Sequence, residues 1–380
     1  MEAKGKTQDM SSAGNTFTAP GRVNLIGEHT DYTGGLVLPM AIDFATTATI
    51  EPATGNTVTF LSENFGEHAE YDLAQFPSHG REHWSDYPAG VLWVLRGKGI
   101  DVPAFTLTLN GDVPLGSGLS SSASIEVAAA MAILHHAGIT LPGTEIATLC
   151  RSAENDFVGG SVGIMDQFVS VYGRSGHAVL IDCRSLAFEY LPLPPSVSVV
   201  ICNSMVKHTV AHGEYGDRNG EVMAGQAVIA RERPAAQSLR DATLADLEAC
   251  RSLMSPASFL RCRHVITENA RVESARIALL AGDLKAFGQL MAEAHISFRD
   301  DFAASSPEID KLVEIAGALP GCFGARITGG GFGGCTVNLV AGEQAEAFRH
   351  ELVRRYKDAL GIDAESYISC AADGALARQA

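Results

Sequence analysis

The spacing of apolar residues divides the chain into a strand-rich first half and a more helical second half. Apolar and polar residues alternate in TVTFLSE and FTLTLN, which is the two-residue period of a half-buried strand. Short apolar runs bounded by turn signals predict further strands in TFTAP, LVLPMAI, ATTATIE, HAVLIDC and SVSVVICNS. Longer apolar segments with Pro or Gly at their ends predict helices at Asp86–Gly97, Ala123–Ala137 and Leu141–Val158.

The second half is predicted to contain helices at 214–232, 236–250, 260–281, 284–298, 307–318 and 343–360. A hairpin-like segment, GARITGGGFGGCTVNLV, occupies 324–340, and the strand ESYIS follows the last helix. Strands and helices therefore do not alternate regularly, which favours an α+β fold over a doubly wound sheet.

The length of 380 residues exceeds what one hydrophobic core usually covers, so two domains are expected. The proline-bearing segment LPLPP marks a candidate junction between a domain at 16–195 and a domain at 196–380. The polar residues 1–15 are interpreted as a disordered tail.

The charge balance narrows the classes of partner. The chain has 28 basic and 44 acidic residues, a net charge of -16, and no block of Lys and Arg, so nucleic acid and an anionic membrane are not expected partners. No signal peptide and no apolar run long enough for a bilayer are found, and the eight cysteines lack metal-ligand spacing. These features predict a cytoplasmic protein, and a monomer is expected because nothing indicates an interface.

A glycine- and serine-rich stretch, DVPLGSGLSSSASIE at 112–126, leads directly into the Ala-rich helix. Gly116 and Gly118 let the backbone approach a ligand, and Ser120, Ser121 and Ser122 lie where the helix begins. Hydroxyls and unpaired N–H groups at the positive end of a helix dipole are suited to holding phosphate. The alternative is a turn with an ordinary serine N-cap.

A polar segment, PGRVNLIGEHTDYTGG at 20–35, lies between two apolar strands. It holds Arg22, Asn24, Glu28, His29 and Asp31, and carboxylates and an imidazole can accept hydrogen bonds from several hydroxyls of a sugar. The alternative interpretation is a solvated loop with a surface ion pair.

Two further carboxylates are candidates for chemistry. Asp166 lies between apolar residues in GIMDQFVSVYG, where burial would suit it to a general base, although a capping or exposed aspartate is the commoner case. Glu154 lies on the helix 141–158 and could complete a magnesium site with a serine hydroxyl, although an exposed helix glutamate is the alternative.

The run GGGFGG at 329–334 matches a dinucleotide-binding spacing, but a strand, CTVNLV, follows it where that motif requires a helix. The run is instead interpreted as a glycine loop that lets two segments approach each other closely, near the ligand.

Together these segments resemble the GHMP family of small-molecule kinases and, within it, the galactokinase group. The segment 20–35 is similar to the galactokinase signature, PLGSGLSSSAS at 114–124 to the family's phosphate loop, and ITGGGFGGCTVNLV at 327–340 to its C-terminal motif. GIMDQF at 163–168 is similar to the segment that carries the catalytic aspartate. The resemblance implies an N-terminal domain like domain 2 of ribosomal protein S5, a ferredoxin-like C-terminal domain, and a site in the cleft between them.

The resemblance also implies ATP- and magnesium-dependent phosphorylation of the C1 hydroxyl of α-D-galactose. It implies Asp166 and Arg22 as catalytic residues and Ser122 and Glu154 as magnesium ligands. The implied sugar-binding residues are Glu28, His29, Thr30, Asp31, Gly163 and Tyr215. The implied ATP-binding residues are Gly116, Ser117, Gly118, Leu119, Ser120, Ser121, Ser122 and, beside the adenine, Trp84.

Two alternatives to this function stay open at this stage. One is a kinase of the same family for another sugar, such as N-acetylgalactosamine or galacturonate, and the other is a sensor that binds galactose and ATP without catalysis. The region 236–265 contains no recognisable motif, so the resemblance assigns it no role.

Overall fold

The computed structural model describes residues 15–207 and 211–379, without the side chains of residues 207 and 211–215. Of the predicted tail, residues 1–14 lie outside the described residues. The strands are β1 (Thr16–Asn24), β2 (Leu36–Val37), β3 (Pro39–Pro52), β4 (Thr57–Ser62), β5 (Glu67–Asp72), β6 (Phe105–Gly111), β7 (His177–Asp182), β8 (Phe188–Pro192), β9 (Val197–Lys207), β10 (Cys322–Thr328), β11 (Gly333–Ala341) and β12 (Glu365–Ser369). The helices are α1 (Asp86–Gly97), α2 (Ser121–His136), α3 (Gly143–Ser152), α4 (Met165–Tyr172), α5 (Ala211–Glu232), α6 (Leu244–Ala249), α7 (Pro256–Leu280), α8 (Leu284–Ser297), α9 (Pro307–Gly317) and α10 (Ala345–Leu360). Helices α3 and α8 continue as π-helical turns at Ala153–Val158 and Phe298–Phe302.

The first half is built on a five-stranded sheet of order β1-β3-β6-β4-β5, in which only the β4–β6 pair is parallel. Helix α2 packs against β1 and β3. Its run of small residues, Ala128–Ala130, is fully buried, which lets the helix lie close to the sheet. A separate three-stranded sheet has the order β2-β7-β8.

The second half contains a four-stranded antiparallel sheet of order β10-β11-β9-β12. Its chain order is strand, helices, two strands, helix, strand, which is the β-α-β-β-α-β arrangement of a ferredoxin-like domain. The mixture of antiparallel sheets and helices confirms the predicted α+β class.

Several local features differ from the predictions. Strand β5 was not predicted, because EHAEYD exposes its polar residues and buries only Ala69 and Tyr71. Of the predicted helix 236–250, only the residues of α6 are helical. The residues before α6 form a turn in which Asp241 accepts hydrogen bonds from the N–H and the hydroxyl of Ser238, and the capping box of Thr243 follows that turn. Helix α7 begins at Pro256 and not at 260, after the N-cap Ser255.

The residues after β12 return to the first half. The N–H groups of Ala372, Gly374 and Ala375 donate to carbonyl groups of Ala41, Gly173 and Ser170. The predicted domain boundary at 195/196 lies in the link between β8 and β9 and stays a prediction. Among the described residues, no helix combines the length and apolar character that crossing a bilayer requires.

Candidate functional site

The polar motifs meet at a cavity of about 150 Å³. It lies between the segment after β1, the turn that leads into α4 and the turn between β10 and β11. Its lining residues are Arg22, Glu28, His29, Asp31, Val162, Gly163, Met165, Asp166, Gly329 and Gly330. Six residues predicted for catalysis or sugar binding therefore share one cavity, although they come from two separate stretches of the chain.

Arg22 and Asp166 form a two-pronged ion pair at one wall of this cavity. Arg22 follows an irregularity in β1 at Pro20, and its guanidinium is almost completely buried. Its Nε donates to Asp166 Oδ1 at 2.8 Å and its Nη2 donates to Oδ2 at 2.7 Å. The Ser120 hydroxyl also donates to Oδ2. A carboxylate has about four acceptor positions, so one position on Oδ1 is left for a ligand.

The phosphate-loop candidate is tied to this pair. Gly116, Gly118 and Ser120 have φ angles of 64°, 81° and 60°, in the left-handed region, and α2 begins at the next residue, Ser121. Arg22 Nη1 donates to the carbonyl of Gly118 at 2.6 Å, and the Arg22 N–H donates to the carbonyl of Leu119 at 3.0 Å. The Arg22–Asp166 ion pair and the N-terminus of α2 are therefore held in one unit.

Two residues of this loop, Ser117 and Leu119, have side chains that make contacts within the protein. The Ser117 hydroxyl donates to the carbonyl of Pro114 at 2.6 Å, and the Leu119 side chain is buried in the core. Neither side chain is available to an anion.

The glycine run at 329–334 packs directly on the phosphate loop. A Cβ at Gly329 would lie 3.0 Å from the Gly118 carbonyl oxygen, and one at Gly334 would lie 2.9 Å from that of Ser117. Strand β11 begins at Gly333, within the end of the run. The prediction that these glycines allow two segments to approach closely is confirmed.

Glu28 is buried at the cavity between donors from both halves of the chain. Asn24 Nδ2 donates to Oε2 at 2.8 Å, and the N–H of Gly329 donates to Oε1 at 3.0 Å. Burial raises the pKa of Glu28 to about 7, although the charge of Arg326 opposes the shift.

Sequence reasoning missed the charged group behind Glu28. The Arg326 guanidinium is fully buried in β10, 4.0 Å from Glu28 Oε1 and 3.5 Å from Glu268 Oε1. Burial alone would raise the pKa of Glu268. The positive charges of Arg326 and Arg271 outweigh that effect and lower the pKa to about 2. A charged residue inside a strand is the only signal the sequence offers, and it does not identify the partners.

His29 presents a neutral imidazole to the cavity. Its φ of 61° lies in the left-handed region, and its ring stacks on Phe302 with 4.0 Å between ring centroids. Burial lowers the pKa of His29 to about 3. Thr30 does not line the cavity, since its buried hydroxyl hydrogen-bonds to the carbonyl groups of Gly27 and Leu36.

Asp31 reaches the cavity across Gly163. A Cβ at position 163 would overlap the Asp31 carboxylate, so only glycine leaves room for it. Burial and the neighbouring charge of Asp166 raise the pKa of Asp31 to about 6.

Ser122 and Glu154 lie together at the N-terminus of α2. The Ser122 hydroxyl hydrogen-bonds to the Glu154 carboxylate, and burial together with Asp166 raises the pKa of Glu154 to about 7. A hydroxyl and a buried carboxylate are hard oxygen donors of the kind that Mg²⁺ takes beside phosphate and water. Among residues 15–207 and 211–379, no three His, Cys, Asp or Glu side chains are grouped as a metal site.

The remaining predicted residues lie elsewhere. Trp84 lines a narrow cavity with Phe65, Leu115 and Ser121, and its indole N–H donates to Glu67 at 3.0 Å. This cavity adjoins the phosphate loop. The side chain of Tyr215 is outside the described part of the structure.

The region 236–265, which had no assigned role, contacts the polar segment 20–35 and the turn after β7. Arg240 Nη1 lies 2.6 Å from Asp182 and 3.4 Å from the carbonyl of Gly34, and Arg184 pairs with Asp241 at 3.0 Å. Two crossed ion pairs therefore join the turn after β7 to the turn before α6.

Family models match three parts of the chain. Residues 7–52 match the galactokinase galactose-binding signature, residues 86–174 the N-terminal domain of GHMP kinases, and residues 275–358 their C-terminal domain.

Curated relatives match over nearly the full length. A galactokinase of Roseiflexus sp. (strain RS-1) is 44% identical over 356 residues, and the galactokinase of Homo sapiens is 43% identical over 367 residues. Each alignment covers 94% of this chain and 91% of the relative.

Solved structures agree with this result. The galactokinase of Lactococcus lactis, determined in complex with galactose, superposes with a TM-score of 0.90 at 35% identity and covers 95% of this chain and 94% of its own. A mevalonate kinase shares the fold, with a TM-score of 0.66 at 19% identity over 93% of this chain and 98% of its own.

Proposed function

The chain belongs to the galactokinases of the GHMP kinase family, and we propose that it transfers the γ-phosphoryl group of ATP to the C1 hydroxyl of α-D-galactose. The observation that carries this proposal is the Arg22–Asp166 pair, which lines the sugar cavity on one side and binds the phosphate loop on the other. The products are galactose 1-phosphate and ADP.

Asp166 acts as the general base in this proposal. The free acceptor position on its Oδ1 receives the proton of the C1 hydroxyl, and the resulting alkoxide oxygen forms the new bond to the γ-phosphorus as the bond to the β-phosphate oxygen breaks. Arg22 holds the carboxylate from the opposite side through two hydrogen bonds. The base therefore keeps one orientation while the proton moves.

Arg22 and the phosphate loop supply the positive potential that phosphoryl transfer needs. The Arg22 guanidinium lies between Asp166 and the carbonyl of Gly118, and the N-terminus of α2 begins two residues after Leu119. These donors are fixed before ATP arrives, so little reorganisation is required as charge develops on the transferred group. The cavity beside Trp84 is proposed to hold the adenine ring.

Ser122 and Glu154 are proposed as the magnesium ligands, because they are adjacent oxygen donors at the same helix N-terminus. When bound there, the ion would neutralise charge on the triphosphate. Glu28, His29 and Asp31 are proposed to hold the sugar hydroxyls, with Tyr215 as a further contact. The Thr30 hydroxyl stabilises the same segment by donating hydrogen bonds to the backbone carbonyl groups of Gly27 and Leu36.

The neutral His29, the buried Glu28 and the half-buried Asp31 favour a sugar with free hydroxyl groups over a carboxylated one such as galacturonate. The sensor alternative is not favoured, because the base and its arginine are both in place. The cytoplasmic location and the monomeric state stay predictions.

The test is release of ADP from Mg·ATP with D-galactose, D-glucose, N-acetylgalactosamine or galacturonate, for the wild type and for Asp166→Ala. Turnover with galactose that the variant loses is the expected result. Turnover with another sugar alone would overturn the substrate, and galactose binding without any turnover would indicate a sensor.

A further inference from the structure

Gln167 follows the proposed base in α4 and contacts a different part of the site. Its side chain is fully buried, and its Nε2 donates to Glu154 Oε2 at 2.7 Å and to Glu126 Oε2 at 3.1 Å. Glu126 is also fully buried and lies one turn after Ser122 on α2. A single amide therefore joins a carboxyl group of α2 to one of the π-helical turn after α3.

Neutral donors orient Glu154. The side chains that hydrogen-bond to its carboxyl group are those of Ser122, Gln167 and Glu126. Gln167 Oε1 is buried without a hydrogen-bond partner among the described residues. Buried polar atoms are normally satisfied, so this cluster has capacity for a further donor such as an ordered water.

We propose that Gln167 is a positioning residue for the cation: its amide holds the Glu154 carboxylate beside the Ser122 hydroxyl, so that both oxygens are presented together. The inference rests on the proposed function, in which Ser122 and Glu154 are the magnesium ligands. Hydrogen-bond partners behind a ligating carboxylate fix its orientation, and their loss commonly weakens metal binding by about 10–100-fold.

Asp166 and Gln167 are consecutive residues, so one short helix carries the base and the group that orients a metal ligand. Asp166 contacts Ser120 at the start of α2, and Gln167 contacts Glu126 farther along it. The two contacts join α4 to α2, which holds Asp166 and the Glu154 carboxylate in a fixed relation.

The test measures binding of Mn²⁺ in the presence of a non-hydrolysable ATP analogue, from the electron paramagnetic resonance signal of free Mn²⁺. Gln167→Met removes the amide with little change in size, and we expect Mn²⁺ affinity to fall about 10–100-fold. Galactose affinity and its KM should stay within about twofold of the wild type, since Gln167 does not line the sugar cavity.

A matched control is Asn338→Leu, which removes a fully buried amide of β11 that donates to the Val200 carbonyl at 2.8 Å. It should lower the unfolding temperature and leave Mn²⁺ affinity unchanged. If Gln167→Met does not fold, Gln167→Asn serves instead, because its shorter side chain withdraws the amide from Glu154.

Glu154→Ala separates this inference from the proposed function. Loss of Mn²⁺ affinity in Glu154→Ala but not in a folded Gln167 variant would overturn the inference and leave the cation site intact. Unchanged affinity in Glu154→Ala would overturn the cation site and the inference with it. Loss in both, without loss in Asn338→Leu, is the expected result.

Discussion

Gly163→Ala tests how closely the sugar site is packed. A methyl group at this position would overlap the Asp31 carboxylate and lie 2.9 Å from Asp31 Cβ. Carbon atoms pack best at about 3.5–4.0 Å, so the aspartate has to move by about 1 Å. A displacement of about 1 Å in a site of this kind costs about 100-fold in activity, so kcat/KM for galactose should fall by about that factor.

The assay is ADP release at saturating Mg·ATP over a range of galactose concentrations, with the unfolding temperature measured in parallel. Gly163 does not have a positive φ, so the effect of alanine should be steric and local. Gly97→Ala is the control, because a Cβ at Gly97 meets nothing within 4 Å. Wild-type kcat/KM in a folded Gly163→Ala protein would refute the role given to Asp31.

Four further outcomes are expected. Asp166→Asn should lower kcat by about 100- to 10,000-fold while galactose still binds in calorimetry; an unchanged kcat would exclude Asp166 as the base. The kcat/KM for galactose should rise from pH 5.5 to pH 8, because the pKa values of about 6 for Asp31 and about 7 for Glu28 leave both carboxyls protonated, and poorer acceptors, at the acid end; a flat profile would contradict this. Arg326→Met should lower the free energy of unfolding by about 3–5 kcal/mol in urea titrations, because two carboxylates lose a buried partner, and a loss below 1 kcal/mol would show that they relax freely. Arg184→Ala should cost no more than about 1 kcal/mol in the same titrations, since half of its side chain is exposed to water, and a larger loss would give the crossed ion pairs a stronger role.

The sequence was sufficient for the parts of the site that lie in continuous segments. Gly116, Gly118 and the serines at the start of α2 predict a phosphate loop, because the glycines, the hydroxyls and the helix start are neighbours in the chain. Asp166 was a candidate because its neighbours are apolar, and the resemblance of GIMDQF to the galactokinase segment implied its role as the base. The structure brings these segments together as expected.

The residues behind the site could not be identified in the same way. Arg326 and Glu28 are 298 positions apart in the chain. Only the fold brings strand β10 against the polar segment 20–35 that contains Glu28. In the sequence, Gln167 and Glu126 look like ordinary polar helix residues. The spacing of the apolar residues around them does not indicate that both side chains are buried. Turn chemistry caused the error at 236–243, where Ser238 and Asp241 bind each other and end the helical pattern.

The return of residues 371–376 to the first half affects the order in which the protein can fold during synthesis. Asp373 accepts a hydrogen bond from the N–H of Ser175, 198 positions earlier, and Ala375 belongs to the hydrophobic core of the first half. At about 5–20 residues per second, the ribosome makes this segment roughly 10–40 s after α4. The half that carries Asp166 and the glycine- and serine-rich loop therefore waits, with part of its core open, until nearly all of the second half has been translated. Folding of the two halves is coupled by the path of the chain, and an N-terminal fragment on its own would leave the surface beneath Ala375 uncovered.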